Sequence, residues 1–235
     1  MRKIHNFSAG PCILPPEVLL EASEAVKSWG QNGLSLIEMS HRSKPFVDVM
    51  EETRTLTKEL LGLPDRFDIL YLQGGASLAF LTAAYNLLPE GGSAAYSDTG
   101  TWANKSIKEA KHIGNIDVVA STKESGYTGI PVTPPVNDKH SYFHYTSNNT
   151  IYGTQYKGVP TEAGVPLVAD MSSDIMSKKF DASPFSLIYA GAQKNLGPAG
   201  VTLVIVKNNI LGKVSRKIPS MMDYKVHINK SSIYN

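Results

Sequence analysis

The sequence holds one cysteine, Cys12, which rules out an intrachain disulfide and suits a reducing, cytoplasmic setting. No apolar run approaches the ~18 residues that a membrane-spanning helix needs. The opening, MRKIHNFSAGPC, lacks the apolar stretch of a secretory signal. Charge of one sign is missing too: 23 Lys and Arg stand against 21 Asp and Glu, with no basic stripe or tail. Such a surface is not expected to take nucleic acid or an anionic membrane as a main partner. Low-complexity tracts and internal repeats are absent. The six histidines show no metal-ligand spacing, so no metal is expected. What remains is a chain of 235 residues, 42% hydrophobic, long enough to bury one sizeable core.

Two amphipathic helices are predicted first. PPEVLLEASEAVKSWG has Pro15 and Pro16 at its start and Gly30 at its end, the usual start and stop chemistry. PFVDVMEETRTLTKELLGLP repeats the design, with Phe46, Val49, Met50, Leu56 and Leu60 near one face. From Phe67 strands and helices alternate: FDILYL, then LAFLTAAYNLL; SAAYSDT, then WANKSIKEAKHIG; then IDVVAS, SYFHYTS, PLVADMSS, SLIYAGAQ and GVTLVIV. Strands apolar at nearly every position are buried on both faces. The expected fold class is therefore α/β, with a mostly parallel central sheet sandwiched by helices. Ligands in such sheets bind beyond the carboxyl ends of the strands, so the residues just after each strand are the candidates.

Four of them have distinct chemistry. Gln73-Gly74-Gly75-Ala76-Ser77 opens a helix, where glycines and unpaired N–H groups suit an anion such as phosphate, although a turn that merely needs glycine reads the same way. Trp102, near a helix start, is either ordinary core or a flat face for an aromatic group. Asp170 ends a buried strand, which is costly unless a cation or several donors meet it; it could instead cap the next segment through the N–H groups of Met171 to Ser173. Lys194 sits in a hinge of small residues. It is either a solvated surface lysine or an amine made nucleophilic by apolar surroundings. Together the four supply what pyridoxal phosphate requires: an anion cradle, a stacking plane, a carboxylate for the ring nitrogen and an amine for the aldehyde.

The motifs NFSAGP, SHR at Ser40 to Arg42, QGGAS, the Trp102 segment, HYTSNNTIYGTQ, VADMSSD and AGAQKNLGPAG, in this order, resemble the fold-type-I family of pyridoxal-phosphate enzymes, and within it the phosphoserine aminotransferases. The resemblance implies that Ala76, Ser77 and Gln193 hold the cofactor phosphate, Trp102 stacks on the ring and Thr150 bonds its phenolic oxygen. Asp170 pairs with the ring nitrogen and Lys194 carries the covalent link, so these two are the catalytic pair. His41 and Arg42 are implied to receive the substrate phosphate across a homodimer interface. The implied reaction moves an amino group between glutamate and 3-phosphohydroxypyruvate, giving 2-oxoglutarate and O-phosphoserine in serine biosynthesis. Cys12 has no base near it in sequence and reads as an ordinary thiol.

The resemblance also sets expectations about extent. Residues 1–15 form an N-terminal segment and 16–235 the cofactor-binding large domain, while a smaller C-terminal domain, which holds the substrate carboxylate in the family, is absent. Asn235 corresponds to a residue that reaches the cofactor phosphate of the neighbouring subunit.

Overall fold

The computed structural model describes residues 4–31, 33–160 and 164–234. The first two helices form where they are expected, except that the first stops at Lys27, three residues before Gly30, where Ser28 is extended. Helix α1 (Pro16–Lys27) starts on Pro16. Helix α2 (Lys44–Leu61) ends because Gly62 takes a left-handed conformation (φ 59°), which lets the Leu63 N–H turn back to Lys58 O at 3.0 Å. Three more follow: α3 (Gly75–Leu87), α4 (Thr101–Lys111) and the short α5 (Tyr224–Asn229).

The strands are β1 (Phe67–Leu72), β2 (Ser93–Asp98), β3 (Asn115–Ser121), β4 (Phe143–Thr146), β5 (Asn148–Asn149), β6 (Thr154–Gln155), β7 (Leu167–Asp170), β8 (Phe185–Gly191) and β9 (Thr202–Lys207). Seven build the main sheet in the order β1-β9-β8-β7-β4-β2-β3, and β5 and β6 form a separate two-stranded ribbon. Strands β3, β2, β4, β7 and β8 are mutually parallel. Only β9 runs against its neighbours β8 and β1. The cause is the connection: residues 192–201 join β8 to β9 without a crossover helix, and a parallel return needs a dozen or more residues. The ribbon β5–β6 was not expected from the sequence, since two-residue strands carry no periodicity.

Alternation along each strand divides the core in two. Val168, Leu187, Tyr189, Val204 and Val206 face one side with α3 and α4, while Ala169, Ile188, Leu203 and Ile205 face the other with Leu61, Met171 and Ile175. Residues of β8 are buried along its whole length, and β3, at one border, is largely open. At the opposite border, Arg54 on α2 donates to Ile69 O at 3.2 Å and Ser231 O at 3.0 Å, and the Tyr71 N–H donates to Ser232 Oγ at 3.1 Å.

A polar group lies inside the first of these halves. His144 stacks between the rings of Tyr96 and Tyr189 at 4.6 and 5.8 Å, with its Nε2 2.7 Å from Tyr189 Oη. Burial pushes its imidazole down to about 3, so it is neutral at ordinary pH.

Two measurements test this packing. Ile205→Ala, in the wholly buried core, should cost about 2–5 kcal/mol in urea unfolding, whereas Val118→Ala on the open border strand should cost about 1 kcal/mol or less. Between the ordinary histidine range and about 3, the unfolded chain binds a proton at His144 that the native chain does not. Stability should therefore fall with acidification by up to about 1.4 kcal/mol per pH unit from this group, a slope that His144→Gln removes.

Candidate functional site

Because β2, β4, β7 and β8 are parallel and β1 shares the direction of β8 through the reversed β9, their carboxyl ends lie on one border of the sheet. The segments that leave those ends converge there.

Gly74 (φ 96°) and Gly75 (φ 65°) turn the chain from β1 into α3. A Cβ on Gly74 would meet Leu78 Cδ2 at 2.4 Å, so the turn admits only glycine. The first N–H groups of α3, Ala76 and Ser77 among them, are thereby left without helical partners at the strand end. Across from them, at the end of β8, a Cβ on Gly191 would lie 2.9 Å from Gln193 Oε1 and 3.4 Å from the Ala76 nitrogen. The missing side chain leaves Gln193 and the helix start facing one another, an arrangement that can hold an anion.

Lys194 lies in the β8–β9 connection under the N-terminal segment. Cys12 N–H bonds Gln193 O at 2.9 Å, and a Cβ on Gly10 would stand 3.0 Å from Lys194 Cγ. The lysine Nζ donates to Thr150 Oγ1 at 2.6 Å and lies 4.9 Å from the Trp102 ring centre. Burial lowers the pKa of this amine, against opposing pulls from Asp170, Cys12 and Asp174. A larger uncharged fraction makes it a better nucleophile.

Asp170 ends β7 and is buried. Its Oδ1 accepts from both the N–H and the hydroxyl of Ser172, at 3.0 and 2.6 Å. Burial raises the pKa of its carboxyl group, while the Ser172 donors and the Lys194 charge hold it down. The lysine and the aspartate each lose hydration, and each favours the other's charged form.

Trp102, at the second position of α4, packs on the core with its indole Nε1 buried and unpartnered among the described residues. Lys105 Nζ also lies near this ring, 4.7 Å from its centre. Thr150 is carried by the loop of the β5–β6 ribbon. The loop is fixed by Asn149, whose Nδ2 donates to Thr154 and whose Oδ1 accepts from Thr99 Oγ1 at 3.2 Å. Gly100 permits this approach, for a Cβ there would touch Asn149 Oδ1 and Tyr152 at 2.9 Å.

The expected residues thus fall into two places. Lys194, Thr150, Trp102 and Asp170 gather round one point, with Ala76 and Gln193 at the adjoining anion cradle and Ser77 exposed beside it. His41 instead lines a cavity of about 360 Å3 with Phe46, Met50, Tyr71 and Met221, which also reaches Gln73 of the β1–α3 turn. Arg42 is exposed and bonds Tyr234 O at 3.4 Å. Neither makes a hydrogen bond or ring contact with the Lys194 group among the described residues, and Asn235 lies outside them. The Ser172 N–H bond to Asp170 is the capping alternative read from the sequence, whereas the Ser172 hydroxyl and Asn149 were missed. The signal for Ser172 was its place two residues after a buried aspartate; Asn149 had none beyond its motif. No cluster of His, Cys, Asp and Glu that could hold a metal occurs among the described residues.

Comparison with known proteins bears on this arrangement. A protein of Flavobacterium psychrophilum named phosphoserine aminotransferase is 58% identical over 234 residues, covering 99% of this chain and 65% of that relative. The structure of phosphoserine aminotransferase from Bacillus circulans subsp. alkalophilus superposes with a TM-score of 0.93 at 44% identity, covering 98% of this chain and 64% of that one. The pyridoxal-phosphate-bound enzyme of the same name from Trichomonas vaginalis gives a TM-score of 0.89 at 32% identity, over 99% and 66%. The chain spans about 65% of the length of the curated relatives it matches. The aminotransferase class-V pattern matches residues 4–234, and the chain belongs to that family.

Proposed function

We propose that the chain is the cofactor-binding portion of a phosphoserine aminotransferase that uses pyridoxal phosphate. Residues 1–15 act as its N-terminal segment and 16–235 as its large domain. One observation carries the reading: a half-buried amine, Lys194 Nζ, held by Thr150 against Trp102 and beside the buried carboxylate of Asp170. The names of the relatives support it.

The side chains fit the cofactor. The space kept open at Gly191, between Gln193 and the Ala76 N–H, suits a phosphate, and Ser77 adds a hydroxyl beside it. Trp102 offers the ring a stacking face, Thr150 a partner for the phenolic oxygen, Asp170 a partner for the ring nitrogen and Lys194 an amine for the aldehyde. When bound, the cofactor supplies an electron sink for the carbanion formed at the amino acid's α carbon.

The protein's own part is positional and acid–base. Asp170, on whose carboxyl Ser172 and Lys194 counter the upward push of burial, would pair with the ring nitrogen and favour its protonated form. Lys194 Nζ removes the α-carbon proton of glutamate and delivers it on the far side of the exchange, its lowered proton affinity suiting both directions. The acceptor is 3-phosphohydroxypyruvate, and the products are 2-oxoglutarate and O-phosphoserine. His41 and Arg42 take the acceptor's phosphate, guanidinium forks matching phosphate oxygens. That neither shares a hydrogen bond or ring contact with the Lys194 group within one chain favours delivery from the partner subunit of a homodimer. The apolar side chains of Phe7, Ile13, Leu19 and Ile37, exposed in the single chain, favour it as well. A cytoplasmic setting rests on the lone free cysteine.

Incubation with pyridoxal phosphate should give a yellow protein that borohydride bleaches, with peptide mapping locating the reduced adduct at Lys194. A colourless product, or an adduct on another lysine, contradicts the reading. Arg42→Ala should slow single-turnover reaction with 3-phosphohydroxypyruvate by about tenfold or more, with cofactor affinity unchanged. Equal loss of both would place Arg42 in the cofactor site instead.

A further inference from the structure

The turn that follows β7 is bonded through every one of its polar side chains. Ser172 Oγ donates to Asp170 Oδ1 at 2.6 Å and accepts from the Gly191 N–H at 3.0 Å. Both Ser172 donors go to the same carboxylate oxygen, and among the described residues Oδ2 takes no hydrogen bond. Ser173 Oγ donates to Asn148 O at 2.9 Å and accepts from Asn148 Nδ2 at 2.8 Å. Asp174 accepts from Ser147 Oγ at 2.5 Å through one oxygen and from Gln155 Nε2 at 3.1 Å through the other. Ser147 Oγ is also 3.0 Å from Asp170 O.

These partners are not scattered. Ser147 precedes the β5–β6 ribbon, Asn148 begins it and Gln155 ends it, and the loop between its strands carries Thr150 to Lys194. One side of the turn therefore orients Asp170 and the other anchors the base of the Thr150 loop. The anchoring side chain takes its two donors on separate oxygens, so it fixes the ribbon at two points.

We infer that Ser172 and Asp174 are positioning residues: Ser172 turns the free oxygen of Asp170 toward the ring nitrogen, and Asp174 holds the ribbon so that Thr150 meets the amine and the ring together. The inference rests on the cofactor reading above. It makes the two ring contacts, one to nitrogen and one to the phenolic oxygen, depend on a single three-residue turn. A rigid element supplies both, so they cannot drift independently.

The test uses the 235-residue chain titrated with pyridoxal phosphate, read by the dissociation constant and by the visible circular dichroism induced in the bound cofactor. Ser172→Ala and Gln155→Ala should each weaken binding, the first about tenfold, and each should lower the induced signal. Gln155 is exposed, so its variant is not at risk of failing to fold. In an Asp174→Ala background, adding Gln155→Ala should produce no further loss, because the bond it removes is already gone. Variants that shift only the melting temperature, with parental cofactor affinity and induced signal, would overturn the inference. So would full additivity of the Asp174 and Gln155 changes. If the unaltered chain forms no borohydride-stable link at Lys194, the cofactor reading itself fails and takes this inference with it.

Discussion

The burial of Asp170 at the end of a central strand is the constraint to which the rest of the site responds. A carboxylate removed from water is unfavourable by several kcal/mol unless donors or a cation meet it. Here two Ser172 donors and the nearby Lys194 do so. The lysine in turn is drawn toward its uncharged form by the same dry surroundings. A sheet whose strands run in parallel makes this economical, since it brings the ends of β4, β7 and β8, and the segments after them, to one border without long excursions.

Glycine does the complementary work. Gly74, Gly100 and Gly191 each stand where a methyl group would collide with a neighbour, at 2.4 Å in the first case and 2.9 Å in the other two. They let three backbone segments close on the space that the proposed cofactor would fill. Polar side chains then fix what glycine leaves loose, as Asn149 does between Thr99 and Thr154.

Most of the framework could be read from the letters because the signals were local. FDILYL and SLIYAGAQ declare themselves as buried strands by their unbroken apolar character, while Pro16 marks a helix start by its fixed φ and Gly62 a helix end by its freedom to turn left-handed. The reversal of β9 was implicit in the short connection before it, yet GVTLVIV reads the same in either direction. The β5–β6 ribbon could not be foreseen, since its two-residue strands are held by tertiary bonds to Ser173 and Asp174. Among site residues, Lys194 and Asp170 stood out because a charge in an apolar context is chemically costly. His41 and Arg42 did not, because in the sequence two basic residues before a helix start read as any solvated pair.

Ser232 and Arg54 have a further effect at the outer border of the sheet. The Tyr71 amide and the Ile69 carbonyl there are already occupied by Ser232 and Arg54. A stray extended peptide therefore meets two backbone groups of that rim already taken, which hinders fibril-like stacking there.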